Sequence, residues 1–118
     1  MNTILYVDDE KLNLFVFGST FKGEFEVVTA ENGQEAIDII ENNQKVDFVI
    51  SDFKMPEMNG MKLINEIKRI RPSMPCMLLS GFEKTEEVNV ALKNGLLVNY
   101  MMKPFQKEKI IEIVRSCV

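Results

Sequence analysis

Phe48-Val49-Ile50-Ser51-Asp52 is the stretch that decides the fold. Its apolar residues follow one another without alternation and stop at an acid, the pattern of a strand covered on both faces in a parallel sheet. An unpaired acid at the tip of such a strand needs a chemical reason. Three other runs end in a similar way. Ile4-Leu5-Tyr6-Val7 leads into Asp8 and Asp9, Met77-Leu78-Leu79 into the hydroxyl of Ser80, and the run from Leu97 to Met102 into Lys103. If all are parallel strands of one sheet, their polar ends meet on its carboxyl edge, where open α/β folds place their sites.

Outward from that stretch, strand-like and helix-like segments alternate five times with short connections. Strands are predicted near 3–7, 25–29, 47–52, 75–80 and 97–102, as short apolar or β-branched runs between turn residues. The third helical pattern is the clearest, with Gly60, Leu63, Ile64, Ile67 and Ile70 on one face and Pro72 just beyond. The fifth, after Pro104, places Ile110, Ile113, Val114 and Cys117 on a stripe. The second starts at Glu31-Asn32-Gly33 and buries Ala36, Ile37 and Ile40; the fourth runs from about Lys84 to Asn94 and stops at Gly95. The first, Leu12 to Phe21, is apolar nearly all round. Part of Leu14, Phe15 and Phe17 could form a contact surface, but additional core is the favoured reading.

Parallel strands need crossover helices, so five such pairs imply a sheet with helices on both faces. Strands two and five carry more polar residues and suit the edges. The predicted fold is therefore α/β, a flavodoxin-like (βα)5 three-layer sandwich with a five-stranded parallel sheet of order 2-1-3-4-5. Asp8, Asp9 and Asp52 flank its switch point, between strands one and three.

A chain of 118 residues suits one domain, 1–118, and its apolar content of 46% allows a real core. The formal charge is −4, and the cations are scattered, so there is no nucleic-acid footprint. Lys68, Arg69 and Arg71 suit a helix C-terminus. No apolar stretch approaches the roughly 18 residues of a membrane span, and the N-terminus turns acidic where a signal peptide would be apolar. A cytoplasmic location is expected. Cys76 and Cys117 lack metal or redox spacing and read as reduced, buried thiols. Histidine is absent. That removes Ser-His-Asp and Cys-His catalysis, the usual zinc sets, and a phosphohistidine on this chain itself.

Three carboxylates brought close together repel one another and, unless one is protonated, call for a counter-cation. An all-oxygen site without histidine suits Mg²⁺, which binds through one or two carboxylates and leaves room for phosphate oxygens. One acid could then serve as nucleophile toward phosphorus. Lys103 supplies a point charge for a phosphoryl oxygen and Ser80 a hydroxyl for another.

These residues, with Met55-Pro56-x-x-x-Gly60 after strand three, Ser80-Gly81 after strand four and Lys103-Pro104-Phe105 after strand five, closely resemble the receiver domain of two-component response regulators. The resemblance runs from Ile4 to Val118. It implies that Asp52 accepts a phosphoryl group from a phosphohistidine on a histidine kinase or histidine phosphotransfer protein. It also implies that Asp9, Asp52 and the Lys54 backbone carbonyl ligate Mg²⁺, with Asp8 assisting through water. Lys103, Ser80 and backbone N–H groups near Lys54 and Gly81 would hold the phosphoryl oxygens. Tyr100 matches the family's switching aromatic, turning inward as Ser80 moves toward the phosphate and rearranging the face of helix four, strand five and helix five. A homodimer on phosphorylation is possible, and the sequence leaves open whether phosphorylation drives one. The Lys103-Pro104 bond is expected to be cis, as in the family, against a background of about 5–6% for X-Pro bonds. No output domain follows Val118, which leaves a stand-alone regulator and a fragment of a larger protein both open.

Bland readings exist for each residue alone. Asp8-Asp9-Glu10 could cap the first helix, Lys103 could be a solvated lysine, Ser80 a turn residue and Tyr100 an edge-strand aromatic over core. Met55, Met58, Met61, Met101 and Met102 read as packing. Lys54 and Phe82 are poor at orienting a hydrolytic water, so slow self-dephosphorylation is expected, and Gly81 stands where the family often has alanine. Three competing functions fit these residues less well than the receiver. An aspartate-nucleophile phosphatase resembles a pattern with a second aspartate where this chain has Lys54. A flavodoxin-like nucleotide or flavin site lacks its Gly-rich turn here, and the acids would repel a phosphate. A degenerate receiver that only docks would not need Asp9, Asp52, Ser80 and Lys103 together.

Overall fold

The computed structural model describes residues 1–42 and 45–118. Five strands, β1 (Thr3–Val7), β2 (Glu26–Ala30), β3 (Phe48–Asp52), β4 (Cys76–Ser80) and β5 (Asn99–Met102), form one parallel sheet in the order β2-β1-β3-β4-β5. Helices α1 (Lys11–Phe21), α2 (Gly33–Asn42), α3 (Gly60–Ile70), α4 (Glu86–Lys93) and α5 (Lys107–Cys117) follow the strands in turn.

Alternation along each strand divides the core in two. Ile4, Tyr6, Phe48, Ile50, Met77 and Leu79 face one way, onto Leu14, Phe17 and Phe21 of α1 and Ile110, Ile111 and Val114 of α5. Leu5, Val7, Val49, Cys76 and Leu78 face the other, onto Ala36 and Ile40 of α2, Leu63, Ile64 and Ile67 of α3, and Val88 and Ala91 of α4. Fully burying an aliphatic or aromatic side chain of this size is worth about 1.5–3 kcal/mol. These two clusters, more than helix propensity, hold the helices to the sheet. The three inner strands, β1, β3 and β4, are buried along their whole length, while β2 exposes Glu26 and Thr29 at its edge.

Several boundaries differ from the predicted ones for local reasons. Phe25 belongs to the turn that closes α1, its N–H bonded to the Phe21 carbonyl at 3.0 Å, so β2 starts one residue later. Helix α4 starts at Glu86 because the Thr85 side chain caps it, accepting from Val88 N. Gly95, at φ +84°, follows the helix in the left-handed conformation glycine tolerates. Leu97 is buried ahead of β5, with its N–H on the Ala91 carbonyl and not in the ladder. On α1, Leu14 and Phe17 are core, but Leu12, Phe15 and Val16 are exposed, so the favoured reading of that helix as additional core holds for only part of it. Cys76 is buried as expected; Cys117 is exposed in the last turn of α5. Met102 is likewise 49% exposed, unlike the buried Met55 and Met61.

Gly60 sets the approach of α3 to the sheet. A Cβ there would lie 2.5 Å from the Asp52 carbonyl oxygen and 2.7 Å from Leu78 Cδ2, while the Gly60 N–H donates to the Phe53 carbonyl at 2.7 Å. Only glycine lets the helix start against the strand end that carries Asp52.

Candidate functional site: an acid pocket at the carboxyl edge

Parallel register places the polar ends side by side. Val7 of β1 pairs with Ser51 of β3, so Asp8 and Asp52 leave the sheet at the same level. Asp52 pairs with Leu79, one residue before Ser80, and Ser80 pairs with Met102, one residue before Lys103. The Lys103 N–H donates to the Ser80 carbonyl at 2.7 Å, continuing the β4–β5 ladder one step further. The Lys103-Pro104 peptide bond that follows is cis.

Asp8, Asp9 and Asp52 each offer a carboxylate oxygen, and the three lie within 4.8 Å of one another. Asp8 and Asp52 are buried and Asp9 is exposed. The cation in contact with the two buried acids is Lys103, whose Nζ is 3.1 Å from Asp52 Oδ1 and 3.4 Å from Asp8 Oδ2. Burial raises the Asp52 pKa above the usual carboxylate range; Lys103 opposes the shift and Asp8 and Asp9 add to it. Burial alone would lower the Lys103 pKa, but contact with Asp52 and the charge of Asp8 more than offset it and leave it raised. Both groups hold their protons more tightly, Asp52 mainly because it is buried and Lys103 because two acids contact it. Three carboxylate oxygens stand together against that one contacting ammonium, and they are the kind of ligand a divalent cation takes. The donor set therefore fits Mg²⁺.

Asp8 is held by more donors than its sequence position suggests. The Tyr6 hydroxyl, the Asn13 amide and Lys103 reach Oδ2, and the Glu10 backbone N–H reaches Oδ1. Burial, then the neighbouring Asp8 charge, pushes the Tyr6 phenol far above its ordinary pKa, so it remains a donor. Neither Tyr6 nor Asn13 stands out in the sequence as part of a site. The one signal was a polar-tipped residue within the apolar run of β1.

Ser80 is 1% exposed, and its Oγ accepts from the Phe82 N–H at 3.0 Å, which leaves its own hydrogen to donate. Tyr100 is already turned inward, 7% exposed, with its hydroxyl donating to the Phe82 carbonyl and, at 3.4 Å, to that of Glu83. Its inward position thus coexists with a Ser80 bonded to its own loop. The Lys54 side chain is exposed, and its ammonium lies 4.6 Å from the Phe82 ring centroid.

A doubly wound parallel sheet with a cation-ready acid pocket and a lysine at its switch point defines a class of α/β proteins suited to phosphoryl chemistry. The family model for the response regulator receiver domain matches residues 4–115, and the chain belongs to that family, as a receiver domain of two-component response regulators. It is 34% identical to a chemotaxis protein CheY homolog of Campylobacter jejuni, covering 94% of this chain and 91% of that protein. It is 35% identical to the transcriptional regulatory protein GlrR of Escherichia coli over 94% of this chain, and spans about a quarter of that relative's length, 25%. Among solved structures, a receiver domain protein from Clostridium thermocellum superposes with a TM-score of 0.90 at 30% identity, covering 99% of this chain and 94% of that one. Vibrio cholerae chemotaxis protein CheY4 superposes at 0.87 with 25% identity, covering 100% and 99%.

Proposed function

We propose that Asp52 accepts a phosphoryl group, in a Mg²⁺-dependent reaction, from a phosphohistidine on a partner histidine kinase or histidine phosphotransfer protein. The juxtaposition that carries this reading is the set of three acidic oxygens within 4.8 Å of one another, with Lys103 3.1 Å from Asp52. Asp9, Asp52 and the Lys54 backbone carbonyl would hold Mg²⁺, with Asp8 assisting through water, and the ion would neutralise the acids and the phosphoryl oxygens. An Asp52 carboxylate oxygen attacks phosphorus; the P–N bond breaks, its electron pair stays on the donor imidazole, and an aspartyl phosphate remains. Lys103 then shifts its ammonium toward a phosphoryl oxygen, and the Ser80 hydroxyl donates to another.

As Ser80 Oγ shifts toward the phosphate to donate, the bond it accepts from the Phe82 N–H lengthens. That same residue's carbonyl holds the Tyr100 hydroxyl, so Ser80 and Tyr100 bias one loop, and the α4-β5-α5 face is the output. That face would engage an effector or a second copy of the chain. The domain's chemistry is confined to its own phosphorylation and slow dephosphorylation. Its setting is cytoplasmic signalling without direct contact to nucleic acid or membrane; among the described residues no helix is long and apolar enough to cross a membrane. The test is incubation with Mg²⁺ and acetyl phosphate, read by intact mass. One stable phosphoryl group on the wild type and none on Asp52→Asn supports the reading. Turnover of many phosphomonoesters would favour an aspartate-nucleophile phosphatase, and no modification would favour a docking module.

A further inference from the structure

Asp8 is completely buried, and a carboxylate so placed must have its lone pairs satisfied or give up its charge. Four donors satisfy it: the Tyr6 hydroxyl at 2.9 Å, the Asn13 amide at 3.2 Å and Lys103 at 3.4 Å on Oδ2, and the Glu10 N–H at 3.0 Å on Oδ1. Two of the side-chain donors are shared. Asn13 also donates to Glu10 Oε2, and Lys103 also binds Asp52 and is the group that a phosphoryl oxygen would draw away. Tyr6 serves Asp8 alone among the contacts of the described residues. Its ring lies flat on Phe17, with centroids 4.0 Å apart and planes within 5°, and it is 2% exposed, so the hydroxyl cannot swing aside without breaking the stack.

We infer that Tyr6 is a positioning residue for the cation site: its hydroxyl, fixed by the Phe17 stack, orients the Asp8 carboxylate toward a divalent ion held by Asp9 and Asp52. The inference rests on the cation-dependent reading given above and adds a residue to it. A carboxylate held in place before the ion arrives loses little freedom on binding, and partners that orient ligands typically matter about 10–100-fold in metal affinity. The Tyr6 side chain acts only through Asp8.

The experiment is calorimetric titration with Mg²⁺ of the wild type, Tyr6→Phe, Asp8→Asn and the double variant. Tyr6→Phe keeps the ring and removes one oxygen. Its dissociation constant for Mg²⁺ should rise about ten-fold, the lower end of that range, and the effect should vanish in the Asp8→Asn background. A change below about two-fold overturns the inference, as does a ten-fold loss that persists without the Asp8 charge. A wild type that does not bind Mg²⁺ removes the underlying functional reading as well, and is told apart by that first titration. If Tyr6→Phe does not fold, isotope-labelled tyrosine in the wild type puts the same question by NMR. The Tyr6 ring carbon bearing oxygen, assigned with Tyr100→Phe, should move on Mg²⁺ addition, and a resonance that stays still overturns the proposal.

Discussion

The Lys54 ammonium stacks on the Phe82 ring at 4.6 Å from its centroid, joining the connection that follows Asp52 to the one that follows Ser80. An exposed cation–π contact is worth about 0.5–1 kcal/mol. Its chemical consequence is larger than its energy, because neither partner offers an oxygen to orient water for attack on an aspartyl phosphate. The phosphorylated protein should therefore decay slowly in excess Mg²⁺. Lys54→Glu, which supplies an acid and breaks the stack, should speed decay by about 100-fold, the low end for a positioned base. Loss of the phosphoryl group from the wild type within seconds would contradict this.

Asp52 should destabilise the metal-free protein at neutral pH. Its pKa is raised by folding, mainly through burial, so the folded state binds the proton more tightly than the unfolded chain does. The associated stability is fully present below the ordinary carboxylate value of 3.8 and is lost as pH rises through the raised folded value. Thermal melts without Mg²⁺ should show Asp52→Asn more stable than wild type at pH 7, with the difference closing as the pH falls toward 4. Mg²⁺ at a hundred times its dissociation constant should stabilise the wild type by about 2.7 kcal/mol, and so raise its melting temperature more than that of the variant. A less stable Asp52→Asn would show that the Lys103 contact outweighs burial.

Gly60→Ala places a methyl against the Asp52 carbonyl and Leu78, and the carbonyl is backbone that cannot turn aside. The expected loss is about 1–3 kcal/mol in urea unfolding, with a reduced yield of phosphorylation because the strand end bearing Asp52 must shift. A neutral substitution would mean that α3 retreats without moving that strand end.

Tyr100→Phe removes the hydroxyl that holds the Phe82 and Glu83 carbonyls while keeping the buried ring. Amide hydrogen exchange across residues 82–85 should accelerate by roughly the factor of five to ten that a contact of about 1 kcal/mol implies. Unchanged exchange would separate Tyr100 from the loop beside the site.

The sheet was legible because its inner strands have no solvent face: Ile4, Leu5, Val7, Phe48, Val49 and Ile50 are all fully buried, and runs this short between turn residues read as strands. The acids and Lys103 were legible for the same reason, as charges ending apolar runs. Other features were not. Leu97 is as buried as a strand residue although its N–H lies outside the ladder, so burial alone misplaces the start of β5. Helix α1 is apolar on every side, which leaves no sequence contrast to show that Phe15 faces out while Phe17 faces in. Cys117 falls on the apolar stripe of α5 one turn beyond the core that the stripe covers. The bond from Tyr6 to Asp8 depends on where a ring stacks, which no spacing encodes.

The central claim is that Asp52 captures a phosphoryl group in a cation-dependent pocket. Transfer from a radiolabelled phosphohistidine donor, followed by peptide mapping, tests it most directly. Label on the peptide containing Asp52, present with Mg²⁺, abolished by chelation and absent from Asp52→Asn, is the predicted result. Label that persists under chelation, or that maps to any other residue, would contradict it.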